Sequence, residues 1–271
     1  MDHPKFPADS PEGKRWSREQ LKLAFDFYCQ TPFGQLHGRN AKVMKLAKLI
    51  GRTPSALAMK CVNFAGIDPA IRASGRSGLS NASKLDREIW DEFHADWERL
   101  AVECAQLRQR LEYQHGVRDE RTDYDADSAD LADYSGETRA ALVEQRIKQG
   151  FFRRAVLSGY GARCCISGVG EPRLLVASHI VPWSEDKTNR LNPSNGLCLS
   201  AIHDKAFDSH LFSLTDDHRV LLSKRLERTK DVFLREVFWP TQDRQITLPE
   251  RFRPDRAFVR KHREAMSRSE P

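Results

Sequence analysis

The sequence has no long hydrophobic run and few cysteines. No stretch approaches the roughly eighteen consecutive apolar residues of a transmembrane helix. The opening residues, MDHPKFPADSPEGKRW, lack an apolar segment, so a secretory signal peptide is not expected. Six cysteines in 271 residues are too few for a disulfide scaffold. The sequence therefore predicts reduced thiols, a cytoplasmic location and no association with a membrane.

Paired cysteine knuckles are absent as well, because no CxxC occurs anywhere in the chain. Cys164 and Cys165 are adjacent, and neighbouring side chains on a strand point to opposite faces and rarely share one ion. Together with Cys198 they are interpreted as buried thiols, and no structural zinc is expected.

Charge is distributed unevenly around a net value of +6. Residues 1–97 carry 15 basic and 11 acidic side chains, residues 98–135 carry 5 and 10, and residues 136–271 carry 24 and 17. The middle segment ends in an Asp-rich run of polar and small residues that cannot bury much apolar surface. A calcium loop is the alternative for this run, but its Gly and terminal Glu are missing at loop spacing.

These shifts in composition predict three segments. Residues 1–97 form a DNA-reading domain, residues 98–135 are helical and then an acidic linker, and residues 136–271 carry the chemistry. Basic segments on both sides of an acidic one indicate a polyanionic partner.

The first segment has the outline of a helix-turn-helix. AKVMKLAKLI repeats apolar residues at helical spacing, Gly51 ends that helix, and Thr53 and Pro54 are suited to cap and begin the next, PSALAMKCVNFAG. The second helix of such a pair enters the major groove of DNA. The candidate phosphate or base contacts are Arg52, Ser55, Lys60, Asn63 and, in a Gly/Ser-rich loop, Arg76. A helical bundle with no nucleic-acid role has the same pattern.

The last segment carries three polar residues in an order typical of a nuclease. LLVASHIVPW is a β-rich run that ends near His179, NPSNGLCLS contains Asn195 in a turn before a second strand, and AIHDKAFD is a short helix with His203. His203 follows His179 by 24 positions. His210, His218 and His262 lack such a context and are interpreted as structural.

This motif resembles the HNH endonucleases of the ββα-metal fold, in particular restriction-type domains that begin with CxxSG. The resemblance covers roughly residues 137–266, while TPFGQLHGRN, LIGRTPSALAMKCVNFAGIDP and GLSNASKLDREIW resemble the winged-helix sensor of BisI-type methylation-dependent restriction enzymes. It implies an α+β protein with an N-terminal helical or winged-helix domain, an acidic linker and a C-terminal ββα-metal HNH domain.

The resemblance also implies roles for the motif residues. His179 matches the general base that activates water, Asn195 the residue that steadies the loop carrying the base, and His203 a metal ligand, with Mg²⁺ or Mn²⁺ as the ion. Ser178 is a departure, since many HNH enzymes have Asp or His there, and a hydroxyl is a poor ligand for a hard cation. Asp208 is a candidate second ligand, but packing and capping of the helix is the preferred interpretation of this residue.

The implied substrate is double-stranded DNA that carries 5-methylcytosine in a GCNGC context. Cutting both strands needs two centres or one centre acting twice, and a homodimer on DNA would supply two. A groove-facing methyl group needs an apolar contact, which Ala56, Ala58 or Met59 would provide if their helix reads bases. The alternatives are a DNA-binding protein with an inactive HNH centre, an HNH nuclease without methylation dependence, and cleavage of RNA. A major-groove reader does not fit A-form RNA.

Overall fold

A computed structural model describes residues 15–73, 75, 78–116 and 136–269. The chain divides into two compact units, residues 1–150 and 151–271. This boundary falls inside a helix, whereas the sequence predicted a boundary before residue 136. The Asp-rich run, which begins at Asp119, lies outside the described residues.

All regular secondary structure in the described part of the first unit is helical. Its helices are α1 (Arg18–Cys29), α2 (Ala41–Leu49), α3 (Pro54–Ile67), α4 (Pro69–Ala73), α5 (Lys84–Ala95), α6 (Trp97–Gln114) and the start of α7 (Gly136–Gly159). The predicted cap of α3 is present, because the Thr53 hydroxyl accepts a hydrogen bond from the backbone N–H of Ala56. At the start of α1, Ser17 forms a capping box with Gln20. Residues 15–73, 75 and 78–116 contain no strand, so a β-hairpin wing has no counterpart among them.

Aromatic side chains form the core of this unit. The Phe25 ring of α1 lies 4.9 Å from Phe64 of α3 and 4.7 Å from Phe93 of α5, both in edge-on geometry. Helix α6 joins the same core, since it packs against α1 and buries Leu100 and Leu107. Residues 98–114 of the predicted middle segment therefore belong to a packed helix.

The second unit combines small sheets with helices. After α7 come β1 (Leu175–His179), β2 (Gly196–Ser200), α8 (Ala201–Asp208), β3 (Phe212–Leu214), β4 (Val220–Leu222), α9 (Lys224–Glu227), α10 (Val232–Phe238) and α11 (Arg256–Ser269). β1 pairs antiparallel with β2, and β3 with β4. The mixed helix-and-sheet class that the sequence predicts is confirmed. Within the described residues, no helix combines the length and apolar character needed to cross a membrane.

Candidate active site

The strand pair and the helix that follows it bring the motif residues together. In the β1–β2 register His179 lies opposite Gly196, and Asn195 immediately precedes β2. A Cβ at Gly196 would overlap the side chains of Val156 and Phe152 on α7. Glycine at this position therefore lets α7 pack directly against the end of the strand pair where His179 lies.

The imidazole of His179 is held on two sides. Its Nε2 lies 2.9 Å from the carbonyl oxygen of Arg190, and its ring stacks on Phe152 at 3.8 Å between centroids and an angle of 7°. A carbonyl oxygen only accepts hydrogen bonds, so Nε2 carries the hydrogen in the neutral ring and Nδ1 keeps its lone pair. The free lone pair at Nδ1 is what a general base requires.

The surroundings of His179 favour its neutral form. Burial lowers the pKa of His179 below its ordinary value, and this effect outweighs the hydrogen bond to Arg190 and the negative charge of Asp204, which both raise the pKa. A neutral imidazole near pH 7 can accept a proton from water.

Asn195 is fully buried and joins the loop after β1 to the start of β2. Its Oδ1 accepts a hydrogen bond from the backbone N–H of Val181 at 2.8 Å, and its Nδ2 donates to the carbonyl oxygens of Val181 at 3.1 Å and Asn189 at 3.3 Å. The backbone N–H of Ile180 also donates to the Asn195 carbonyl oxygen at 2.9 Å. These bonds fix the chain next to the base, which fits the role that the sequence predicted for Asn195.

His203 lies in the core of the second unit. Its side chain is 3% exposed, its Nδ1 lies 2.7 Å from the Ser200 hydroxyl, and its ring lies 5.3 Å from that of Phe238. Burial acts to raise the pKa of the Cys164 thiol, but hydrogen bonds from His203 and Ser167 hold that pKa at about 6. These partners are core side chains, and the role of His203 as a metal ligand stays a prediction.

The next residue along α8 was missed by the sequence analysis. Asp204 and Asp208 are one helical turn apart, which places both carboxylates on one face of the helix. Burial raises the pKa of Asp208, and the negative charge of Asp204 raises it further. Two carboxylates that repel each other in this way are stabilised by a bound cation. The motif HDKAFD contains the signal, because it carries two acidic residues at i and i+4.

This acidic pair fits a hard divalent ion better than the predicted histidine does. Carboxylate oxygens suit Mg²⁺ and Mn²⁺, and Mg²⁺ is commonly bound by one or two carboxylates together with water and substrate phosphate. The described residues contain no cluster of three or more His, Cys, Asp or Glu arranged around a metal position. Ser178 is 3% exposed and, by strand alternation, points to the face opposite His179. It is therefore not a third ligand.

Two of the predicted DNA contacts in the first unit have structural partners instead. The Lys60 ammonium is buried and lies 3.0 Å from both carboxylate oxygens of Asp86, so this cation, predicted as a DNA contact, has a carboxylate partner within the protein. The Arg52 guanidinium donates to Gln20 Oε1 at 3.0 Å and lies 4.8 Å from the centre of the Trp16 ring. Both cations hold α3 and the α2–α3 turn in place.

The other predicted contacts have different positions. Ser55 is exposed in the first turn of α3. Asn63 is half-buried further along the helix, and among the described residues its Oδ1 has no hydrogen-bond partner. Arg76 lies outside the described residues.

The second unit thus contains an antiparallel strand pair followed by a helix, with His179 on the first strand and Asp204 and Asp208 on the helix. These are residue types that hydrolysis of a phosphodiester uses: a histidine that can act as a base, and carboxylates that suit a divalent cation. Residues 164–215 match the model of the HNH_2 family, described as HNH endonuclease. The match includes His179, Asn195 and all of α8, and it supports nuclease activity on DNA. No curated protein matches the chain.

Proposed function

We propose that this protein is a metal-dependent DNA endonuclease of the restriction type, with His179 as its general base. The observation that carries the proposal is the fixed orientation of His179: Nε2 is bonded to the Arg190 carbonyl, so Nδ1 is left to accept a proton. The match of residues 164–215 to HNH endonucleases supports the same chemistry.

The reaction begins when Nδ1 of His179 takes a proton from a water molecule placed against the scissile phosphate. The resulting hydroxide forms a bond to phosphorus, and the bond from phosphorus to the 3′ oxygen of the leaving strand breaks. The 3′ oxygen leaves with the bonding electron pair and takes a proton from solvent water. The Arg190 carbonyl dipole stabilises the imidazolium that forms, because its oxygen faces Nε2–H. Asn195 acts as a positioning residue, since it holds the loop at Val181 rather than the substrate.

Asp204 and Asp208 are the residues proposed to hold a divalent cation, with water and phosphate oxygens as the remaining ligands. When bound, such an ion neutralises charge on the phosphoryl oxygens and on the leaving oxygen. The hydrogen bond between His203 and the Ser200 side chain ties the first turn of α8 to the end of β2 and so helps to position this face of the helix.

We further propose that the first unit reads duplex DNA through α3 and favours sites with 5-methylcytosine. Support comes from the helix-turn-helix outline of α2 and α3 and from the resemblance to BisI-type enzymes. Of the three residues considered for a methyl contact, Met59 is 57% exposed, whereas Ala58 is buried. Met59 is therefore the apolar side chain on α3 that is available to a groove. Cutting both strands calls for two centres, which a homodimer on DNA would supply.

The test of the nuclease proposal is plasmid cleavage by purified protein with Mg²⁺ or Mn²⁺, using methylated and unmethylated plasmid. His179→Ala should reduce the cleavage rate by about 10²–10⁴-fold, which is the usual contribution of a general base. DNA affinity should stay within a few-fold, because the imidazole does not bind phosphate. EDTA should abolish cleavage by the wild-type protein.

His115→Ala is the matched control, since His115 is exposed at the end of α6 in the other unit. This variant should cleave like the wild type. Cleavage by His179→Ala at more than a tenth of the wild-type rate would remove His179 from the mechanism. DNA binding without cleavage under any metal condition would favour an inactive HNH centre, and equal cleavage of both plasmids would refute methylation dependence.

A further inference from the structure

The first unit contains a long stretch without acidic residues. Residues 27–67, which include α2 and α3, have no Asp or Glu but contain six Lys and Arg residues. Two of the six, Arg52 and Lys60, are engaged in the structural contacts described above. The remaining four are all exposed: Arg39, Lys42, Lys45 and Lys48.

On helix α2 the lysines and the buried apolar residues lie on different faces. Val43, Leu46 and Ala47 are buried on one face, while the three lysines of α2 lie on the other. Within the described part of the chain, Lys42 and Lys48 form no ion pair. Over six residues an α-helix rises about 9 Å, a length along which one DNA strand presents about two or three phosphates.

The exposed start of α3 packs against the turn that precedes α2. A Cβ at Gly38 would lie 3.4 Å from the backbone N and the hydroxyl of Ser55, so the turn containing Arg39 packs against the first turn of α3. Ser55 and Met59 are exposed on the same helix. We call the surface formed by these residues the basic face; it comprises Arg39, Lys42, Lys45, Lys48, Ser55 and Met59.

We propose that the basic face is where the first unit grips duplex DNA. Its lysines and Arg39 contact the phosphates, and Ser55 and Met59 are directed toward the base edges. The inference rests on the proposed function, because it assumes that this unit binds DNA. It differs from the sequence prediction in moving the phosphate contacts from Arg52 and Lys60 to α2. A surface whose residues include several cations and no carboxylate attracts a polyanion.

The experiment compares two double variants of the full-length protein. Lys42→Ala with Lys48→Ala removes two cations from the basic face, and Lys84→Ala with Arg87→Ala removes two exposed cations from α5. Each pair lowers the net charge by two. Binding to a short methylated duplex is measured by fluorescence anisotropy in EDTA over a range of salt concentrations, and thermal unfolding confirms that both variants fold.

The α2 pair should lower the slope of log affinity against log salt by about 1.8, because each phosphate contact contributes about 0.9. At about 0.1 M salt this corresponds to a loss of affinity of roughly 60-fold. The α5 pair should stay within a few-fold of the wild type. Equal losses for both pairs would mean that net charge alone matters, and no loss for the α2 pair would place DNA binding elsewhere; either result overturns the inference.

Cleavage by the wild-type protein separates this inference from the proposed function. If the wild type cuts plasmid in Mg²⁺ while the α2 pair binds normally, the basic face is refuted and the nuclease proposal stands. If the wild type neither binds nor cuts DNA, the proposed function itself fails.

Discussion

Two adjacent residues of α8, His203 and Asp204, should respond to substitution in opposite ways. His203 is 3% exposed and bonded to Ser200, so His203→Ala leaves a cavity and an unpaired buried hydroxyl. Together these cost about 2–4 kcal/mol, which lowers Tm by roughly 10 °C for a unit of this size. Asp204→Asn keeps the side-chain volume on a half-exposed position and should leave Tm nearly unchanged.

The Mg²⁺ requirement should respond in the opposite way, with a large change for Asp204→Asn and none for His203→Ala. Asp204→Asn removes a charged oxygen ligand, so the Mg²⁺ concentration for half-maximal cleavage should rise by an order of magnitude or more, while folded His203→Ala should need the wild-type concentration. The assay is plasmid cleavage titrated with Mg²⁺, paired with thermal unfolding of the same samples. Asp217→Asn, an exposed carboxylate outside the site, is the control. A His203→Ala protein that keeps the wild-type Tm but needs a higher Mg²⁺ concentration for half-maximal cleavage would refute Asp204 as the ligand and favour His203.

Two further predictions concern protonation and methyl recognition. His262 is buried and its pKa is lowered to about 4, chiefly by burial. The unfolded chain binds this proton near pH 6.5, so stability should be complete above about pH 6.5 and fall by roughly 3 kcal/mol as pH drops through about 4. Urea unfolding across this range checks the slope, which His262→Asn should reduce; an unchanged slope would contradict the assignment. Met59→Ala should reduce the preference for methylated over unmethylated duplex while leaving the salt slope unchanged, measured by anisotropy with Ser55→Ala for comparison. A preference equal to that of the wild type would exclude Met59 as the methyl contact.

Local sequence signals predicted the elements of this protein well. The cap at Thr53, the turn at Gly51 and the order of strand, strand and helix around Asn195 all depend on neighbouring residues, and the structure has each of them. The HNH match supports the nuclease class that was predicted from His179 and its motif.

The partners of individual charged side chains were less accessible from sequence. From the sequence, Lys60 is expected to be a surface cation, but in the structure it pairs with Asp86, 26 positions away. Likewise, His203 and Asp204 are adjacent on α8, and the side chains of successive helical residues point about 100° apart. Only one of the two can therefore point into the core. Sequence spacing alone could not decide that His203 turns inward.

The charge of the active site gives a physical reason for metal dependence that does not rely on resemblance. Asp204 and Asp208 present carboxylates on one helix face, where they would repel an approaching phosphate. A bound divalent cation would neutralise these two negative charges and so remove the repulsion of a phosphate approaching His179. The basic face of the first unit attracts DNA with no such requirement. Asp204→Asn should therefore lose cleavage while keeping DNA affinity, whereas the α2 double variant should lose affinity first and cleavage only as a consequence.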